Sequence, residues 1–457
     1  MASGDVTPPP SLRGRVISAG AWSLGALVVG QALRLGGNLV MARLLAPEMF
    51  GVMLIATTVL VVLALFSDIG LSQNIIQSRR GDEPDFLNTA WTLQILRGFL
   101  LCGLTLLVAT GAWLAQLWQW LPADSVYAAA ELPGVLAVTG LSAVISGFQS
   151  TKVALAYRHF QQSRVVACEL AGQVCGLVLM LGLGWWTRSI WSLVFAGLIA
   201  SLVVCLASHL WLAGPASRLR WDAASVGELV RFGRWILLSS ALGVLAANGD
   251  RLWLGGVMSI GQLGVYSIAI LLLGALETAV HKLAAAAVLP TLSRTALAGD
   301  AAGVRRTYWR LRLLLDGVLL FACGLLFMIG PLLVGWLYDA RYAEAGSMFS
   351  VLACSLFALR YLVAQQLWLA LGHSRYLAWD NLLRFLCLWL ALPLLLLTGG
   401  GAQAAVWAVA LHRLPSVLLA LLVDRRLGVA GGWRELAVLP VLGLGLLAGW
   451  GVNGLFA

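Results

Sequence analysis

Charge is scarce in this chain. Asp, Glu, Lys and Arg make up 11% of its 457 residues, and no long hydrophilic stretch occurs. That excludes a soluble catalytic domain and a large external loop. There is no Walker sequence, so the chain does not hydrolyse ATP. No His, Cys and carboxylate cluster has metal-ligand spacing, so neither a metal nor a cofactor is expected. The seven cysteines fall in or near apolar stretches and read as small buried hydrophobes, with no disulfide framework. The string GLGWW and the run Gly399, Gly400, Gly401 lack the strand–turn–helix context of a nucleotide site.

What the chain has is apolar length. Hydrophobic residues are 60% of it, more than a soluble domain of this size can hide, so its solvent is lipid. A bilayer demands stretches of about 20 apolar residues. Thirteen spans are expected, at roughly 16–42, 51–72, 91–118, 128–148, 164–186, 189–213, 230–256, 262–287, 313–337, 346–371, 377–398, 401–423 and 435–455. Several of the 20 tryptophans, such as Trp118, Trp120, Trp185, Trp186, Trp191 and Trp211, sit near span ends and read as interface anchors. The tail, residues 1–15, lacks the signature of a signal peptide, so the first span is expected to remain in the mature chain.

The two halves repeat. A shift of 213 residues, without gaps, puts Gly20, Trp22, Leu24 and Gly30 on Gly233, Trp235, Leu237 and Gly243. The same shift puts Gly51, Val52, Ile55 and Ala56 on Gly264, Val265, Ile268 and Ala269, and Arg97 on Arg310. Such duplication in a membrane chain predicts two helix bundles facing each other across a central cavity.

The net charge is +10. Basic residues crowd alternate loops: Arg79 and Arg80, Lys152 to Arg164, Arg218 to Arg234, Lys282 to Arg312, and Arg425 to Arg434, with Arg13 and Arg15 before the first span. The positive-inside rule then puts the N-terminus in the cytoplasm. The excess is explained by orientation and by attraction to anionic membrane lipids, with no nucleic-acid partner needed.

A charge at mid-bilayer is costly and persists where it faces a wet cavity or finds a partner. Deep arginines (Arg34, Arg251, Arg360, Arg413) outnumber deep carboxylates (Asp250, Glu277), and Asn38 lies one turn from Arg34. A cavity lined this way takes an anion, and guanidinium geometry suits phosphate or pyrophosphate. Arg34 and Arg360 are expected in the cavity. His412 and Arg413 are open to either reading, and Asp316, Asp380 and Arg384 are expected in structural pairs. Asp250 is open to pairing with an arginine of a neighbouring helix. Glu277 and His281, one turn apart, form a candidate protonation switch, with a merely hydrogen-bonded buried carboxyl as the alternative.

The segment LVMARLLAPEMFGVMLIATTVLVVLALFSDIGLSQNIIQ, from Leu39 to Gln77, resembles the opening of bacterial polysaccharide flippases of the Wzx type. These belong to the multidrug/oligosaccharidyl-lipid/polysaccharide exporter superfamily. The segment NGDRLWLGGVMSIGQLGVYSIA, with Asp250, Arg251, Gly264 and Tyr266, is similar to that family's matching element in the second half. The resemblance fades after about residue 400. It implies an all-α polytopic membrane protein of about 12–14 transmembrane helices in two pseudo-symmetric six-helix bundles around a central cavity.

The implied cargo is an undecaprenyl-pyrophosphate-linked oligosaccharide, moved across the bacterial inner membrane by alternating access for surface polysaccharide synthesis. A polymerase and a chain-length regulator would be pathway partners. By the same resemblance cargo-binding and coupling roles carry to Arg34, Asp250, Arg251 and Glu277. The reading of the residues themselves adds Asn38, Arg360 and Arg413 to the cargo-binding set of Arg34 and Arg251, and His281 to Asp250 and Glu277 as groups that would couple transport to ions or protons. The expected units are a tail at 1–15, bundles at 16–215 and 216–424, and an extra span at 425–457. Rival readings are an organic-cation exporter, a flippase for the peptidoglycan lipid precursor and a membrane-embedded polymerase or ligase. The arginine excess opposes the first, and the short outer loops oppose the last.

Overall fold

The computed structural model describes residues 12–456 apart from 69, 160 and 398. Most of the expected tail lies outside the described residues. The first half holds α1 (Leu12–Leu44), α2 (Pro47–Phe66), α3 (Leu71–Gln77), α4 (Pro84–Leu117), α5 (Leu132–Gly147), α6 (Lys152–Arg158), α7 (Gln162–Thr187) and α8 (Trp191–Leu210). The second opens with α9 (Ala223–Val257), α10 (Ile260–Leu283), α11 (Leu289–Leu297) and α12 (Ala301–Leu337). A broken helix follows as α13 (Ala343–Ala353), α14 (Leu356–Leu359) and α15 (Leu362–Ala370). The chain closes with α16 (Arg375–Leu397), α17 (Ala402–Leu411), α18 (Leu414–Arg426), α19 (Arg434–Ala437) and α20 (Pro440–Phe456). Among the described residues, extended pairing is limited to an isolated bridge between Ser125 and Ser259.

Each expected span coincides with a helix or a run of consecutive helices. Among the described residues, ten helical stretches are long and apolar enough to cross a membrane, or eleven with α5 and α6, bent by 59°, taken as one. The first and seventh expected spans fall on α1 and α9, of 33 and 35 residues. The broken helix is the most buried of these ten: 83% of its apolar window is buried inside the protein, against 17% for α16 and for the last span. Trp118, Trp120, Trp185, Trp186 and Trp211 are exposed near helix ends, as anchors should be.

Local chemistry sets the helix starts that matter for the site. α2 begins with Pro47, whose fixed φ suits the first turn and whose missing N–H costs nothing there, and with Glu48 against the positive end of the helix. α10 begins with a capping box, in which Ser259 accepts from the Gln262 backbone and Gln262 reaches back to the Ser259 N–H. Between α1 and α2 lie only Leu45 and Ala46, and between α9 and α10 only Met258 and Ser259. The two turns therefore sit at matching positions of the 213-residue repeat. Of the repeat's first matches, Trp22, Leu24, Trp235 and Leu237 have side chains outside the described ones.

The halves meet where α2 packs on α9 and α10. Gly51 and Gly264, equivalent in the repeat, face one another: an added Cβ on Gly51 would lie 2.7 Å from the Ile260 carbonyl oxygen, and one on Gly264 would strike the Pro47 carbonyl. Mutual contact of equivalent residues is what a twofold relation requires. At this same end the Tyr127 hydroxyl donates to the Leu252 carbonyl (2.7 Å), and the Ile260 N–H donates to the Asp124 carbonyl (3.1 Å). Arg341, in the loop between α12 and α13, donates to the Ala42 (2.9 Å) and Leu45 (3.2 Å) carbonyls, capping α1 from the other half. We call this the sealed end.

Candidate functional site

Below the seal, a cavity of about 710 Å³ lies between the halves. Arg34 and Asn38 from α1, Thr57 from α2, Gln173 from α7, Arg251 from α9, and Ser267 and Thr278 from α10 supply its polar walls. A second cavity of about 500 Å³ runs into the second half, lined by Asn248, Arg251, Glu277, His281, Lys282, Asn381, Arg384, His412 and Arg413. A recess of about 100 Å³ lies beside it, against Asp250, Glu277 and Ser355. Arg251 lines all three spaces.

Helix geometry brings these residues together. Arg34 and Asn38 are a turn apart on one face of α1, and the Asn38 amide donates to the Arg34 carbonyl (2.8 Å). Asn248 and Arg251 present one edge of α9, while Gly274, Thr278 and His281 line up along α10. Gln31 of α1 reaches the Ala275 carbonyl (3.3 Å), tying the two helices across the cavity.

The electrostatics are lopsided. The walls carry Arg34, Arg251, Lys282, Arg384 and Arg413 against Asp250 and Glu277. Among the described residues Arg34 and Arg251 make no ion pair, and the Arg251 Nε is buried without a hydrogen-bond partner. A buried N–H left without a partner is expensive, and an anion entering the cavity would relieve it.

Other sequence candidates are placed differently. Asp250 is buried and accepts from the Tyr266 hydroxyl (2.7 Å), not from an arginine. Glu277 sits beside a cation: Arg413 donates to both of its oxygens, at 2.7 and 3.3 Å. Arg413 is thus at the cavity wall but already engaged, and Glu277 is not the apolar-pocketed carboxyl of the switch reading. His281 Nδ1 donates to the Glu277 backbone carbonyl (2.8 Å), so the two side chains are not joined.

Arg360 departs furthest from expectation. It is buried away from the three spaces, near Asp316 (3.5 Å) and Glu435 (3.6 Å), and it donates to the Tyr361 hydroxyl (2.9 Å). Arg312, fully buried, completes this cluster by reaching Asp424 (2.9 Å), Glu435 (2.9 Å) and Asp316 (3.5 Å). Its partners come from α12, α18 and α19, so the cluster braces the broken helix inside the second half. Asp316 and the Asp380–Arg384 pair (2.7 Å) are structural as expected, though Arg384 also faces the second cavity. Gln173, Ser267, Lys282 and Asn381 were not singled out by sequence, because their polarity looks ordinary until packing points them inward. No group of three or more metal-ligating side chains occurs among the described residues.

Two repeated helical halves around a cationic cleft define a class: a multi-pass membrane protein with a transporter architecture. The chain belongs to the polysaccharide biosynthesis protein family, whose model matches residues 40–347. It is 25% identical over 269 residues to the lipopolysaccharide biosynthesis protein WzxC of Escherichia coli (strain K12), a match covering 57% of this chain and 50% of WzxC. The chain thus aligns with about half the length of that curated relative.

Solved structures share the fold at low identity. The lipid II flippase MurJ in an inward closed conformation superposes with a TM-score of 0.68 at 11% identity, covering 95% of this chain and 92% of MurJ. An inward-facing multidrug resistance MATE family transporter of the MOP superfamily gives 0.67 at 12% identity, covering 90% and 95%. A MOP superfamily transporter from Pyrococcus furiosus, described as having a binding pocket of reversed polarity, gives 0.59 at 13% identity, covering 94% and 97%.

Proposed function

We propose that the protein is a flippase for an oligosaccharide carried on undecaprenyl pyrophosphate. It moves this lipid from the cytoplasmic to the periplasmic leaflet of a bacterial inner membrane for surface polysaccharide synthesis. The observation that carries the reading is the pair of arginines, Arg34 and Arg251, that make no ion pair among the described residues and line a cavity between two repeated halves. A pyrophosphate offers both the charge and the oxygen geometry that guanidinium groups bind best. A cavity for organic cations would instead concentrate carboxylates, and here basic residues exceed them.

The loop charges support a cytoplasmic tail, and with that orientation the sealed end faces the periplasm and the cavity is offered to the cytoplasmic leaflet. Transport then requires the seal at Gly51, Gly264, Tyr127 and Arg341 to part while the other end closes. Glu277 with Arg413, and Asp250 with Tyr266, are the acidic groups placed to respond to cargo or to a coupling ion. The protein is a carrier and not an enzyme in this scheme, with the polymerase and the chain-length regulator as downstream partners.

Deletion in the native host tests the reading. We expect surface polysaccharide to disappear and intact lipid-linked repeat units to accumulate in the cytoplasmic leaflet. Normal polysaccharide in the deletion strain would overturn it.

A further inference from the structure

A separate polar pocket of about 460 Å³ lies wholly within the first half, between α2, α3, α4 and α5. Its lining includes Gln73, Gln94, Gln149, Ser72, Ser142 and Ser146. Amides and hydroxyls of this density are costly in a lipid-embedded bundle unless something answers them. The pocket's two charges answer each other. Arg97 lies 3.7 Å from Asp68 and also donates to the Ala64 carbonyl (2.6 Å) and the Ser67 hydroxyl (3.1 Å). The pocket is therefore polar but electrically balanced, unlike the central cavity with its unpaired arginines. Its size is within the range of small-ligand sites, roughly 300–1,000 Å³.

The two spaces share one wall. On α2, Phe50, Leu54 and Thr57 line the central cavity, and Val61 and Ala64 line the polar pocket, which Asp68 joins from just past the helix end. Steps of three and four residues put the five helical residues on one face. From Thr57 to Ala64 the rise is about 10 Å at 1.5 Å per residue. A ligand lying along this face meets the arginines of the central cavity at one level and the polar pocket about 10 Å further toward the open end.

We infer that this pocket is a subsite for uncharged sugar, holding the glycan of the cargo while its pyrophosphate lies at Arg34 and Arg251. The inference rests on the flippase reading. Glutamine presents two donors and an acceptor on one plane and serine presents both roles, which matches adjacent sugar hydroxyls. Among the described residues Gln73 and Gln149 make no side-chain hydrogen bond, so their amides are free for a ligand. Gln94 spends its NH₂ on the Ser146, Gly147 and Gln149 carbonyls and keeps its own oxygen as an acceptor.

The test uses full-length protein in nanodiscs and two probes, undecaprenyl pyrophosphate without sugar and the sugar-bearing lipid extracted from the host's membranes. In the Gln73→Ala/Gln149→Ala variant, and separately in Ser146→Trp, which fills the pocket, binding of the sugar-bearing lipid should weaken tenfold or more. Binding of the sugar-free lipid should not change. Equal binding of both lipids by variants and unaltered protein overturns the subsite alone, as does an equal loss of both. An unaltered protein that binds neither lipid overturns the flippase reading and the subsite with it.

Discussion

Glu277 and Arg413 meet from helices 136 residues apart, and the meeting changes what each residue can do. Both side chains are about four-fifths buried. Removing either partner leaves the other charge exposed to the cavity without compensation. Glu277→Gln and Arg413→Gln should therefore each lower thermal stability in detergent more than the double variant does relative to their sum. The double-mutant cycle should give a coupling of roughly 1–3 kcal/mol. At the cargo site the expectation is the reverse in kind. Arg34→Ala with Arg251→Ala should leave the melting temperature near that of the unaltered protein, since neither has an ion pair to lose. Binding of undecaprenyl pyrophosphate in nanodiscs should fall at least tenfold. The abundance of deep arginines was legible in the sequence, because charge inside an apolar run is conspicuous. Which of them are free was not. Arg34 and Arg360 look alike in the chain, yet one lines a cavity and the other is enclosed by Asp316, Glu435 and Tyr361, contributed by segments up to 75 residues distant.

Elements were more readable than residues. Span length and the repeat are written locally, and the turns at Leu45–Ala46 and Met258–Ser259 fall at matching repeat positions. The break in the helix from Ala343 to Ala370 was not legible, because no proline or glycine marks it between Ala353 and Leu362, where α14 and α15 pack against α12 and α18. The close approach of α2 and α10 makes a sharp prediction. Gly264→Val has no room against the Pro47 carbonyl, so spin labels placed on the loops at Ala46 and Ser259 should move apart relative to the unaltered protein. The Arg341 cap on α1 makes another, which involves acid. Hydrogen bonds from Arg341 hold the Asp339 carboxyl below its usual range. A lowered folded-state pKa means the pair contributes above the unfolded value of about 3.9 and is lost as pH falls through the folded one. A cysteine placed at Ala46 should stay shielded from a thiol reagent at pH 7 and become more reactive only below about pH 4. With Arg341→Ala it should already react at pH 7.

At the scale of the whole molecule the two halves are copies in outline but not in chemistry. The first half carries the polar pocket at Gln94 and Arg97. The second carries the buried cluster of two arginines with Asp316, Asp424 and Glu435. The last segment, read from sequence as an add-on at 425–457, is bound into that cluster through Glu435 and packs α20 tightly on α12 at Gly324 and Gly445. Arg312→Ala should cost about 3–5 kcal/mol, because it leaves Asp316, Asp424 and Glu435 facing Arg360 alone, seen as earlier thermal unfolding of the purified protein. The cluster also sets a problem for synthesis. Arg312 leaves the ribosome 112 residues ahead of Asp424. At about 5–20 residues per second the wait lasts roughly 6 to 22 seconds. During that interval the arginine has as company the partners on its own helix, with Asp316 one turn along as their carboxylate and Tyr308 one turn back. The helix that carries it must either linger at the insertion machinery or enter lipid half-neutralised, and its final seat exists only once the last hairpin has been made.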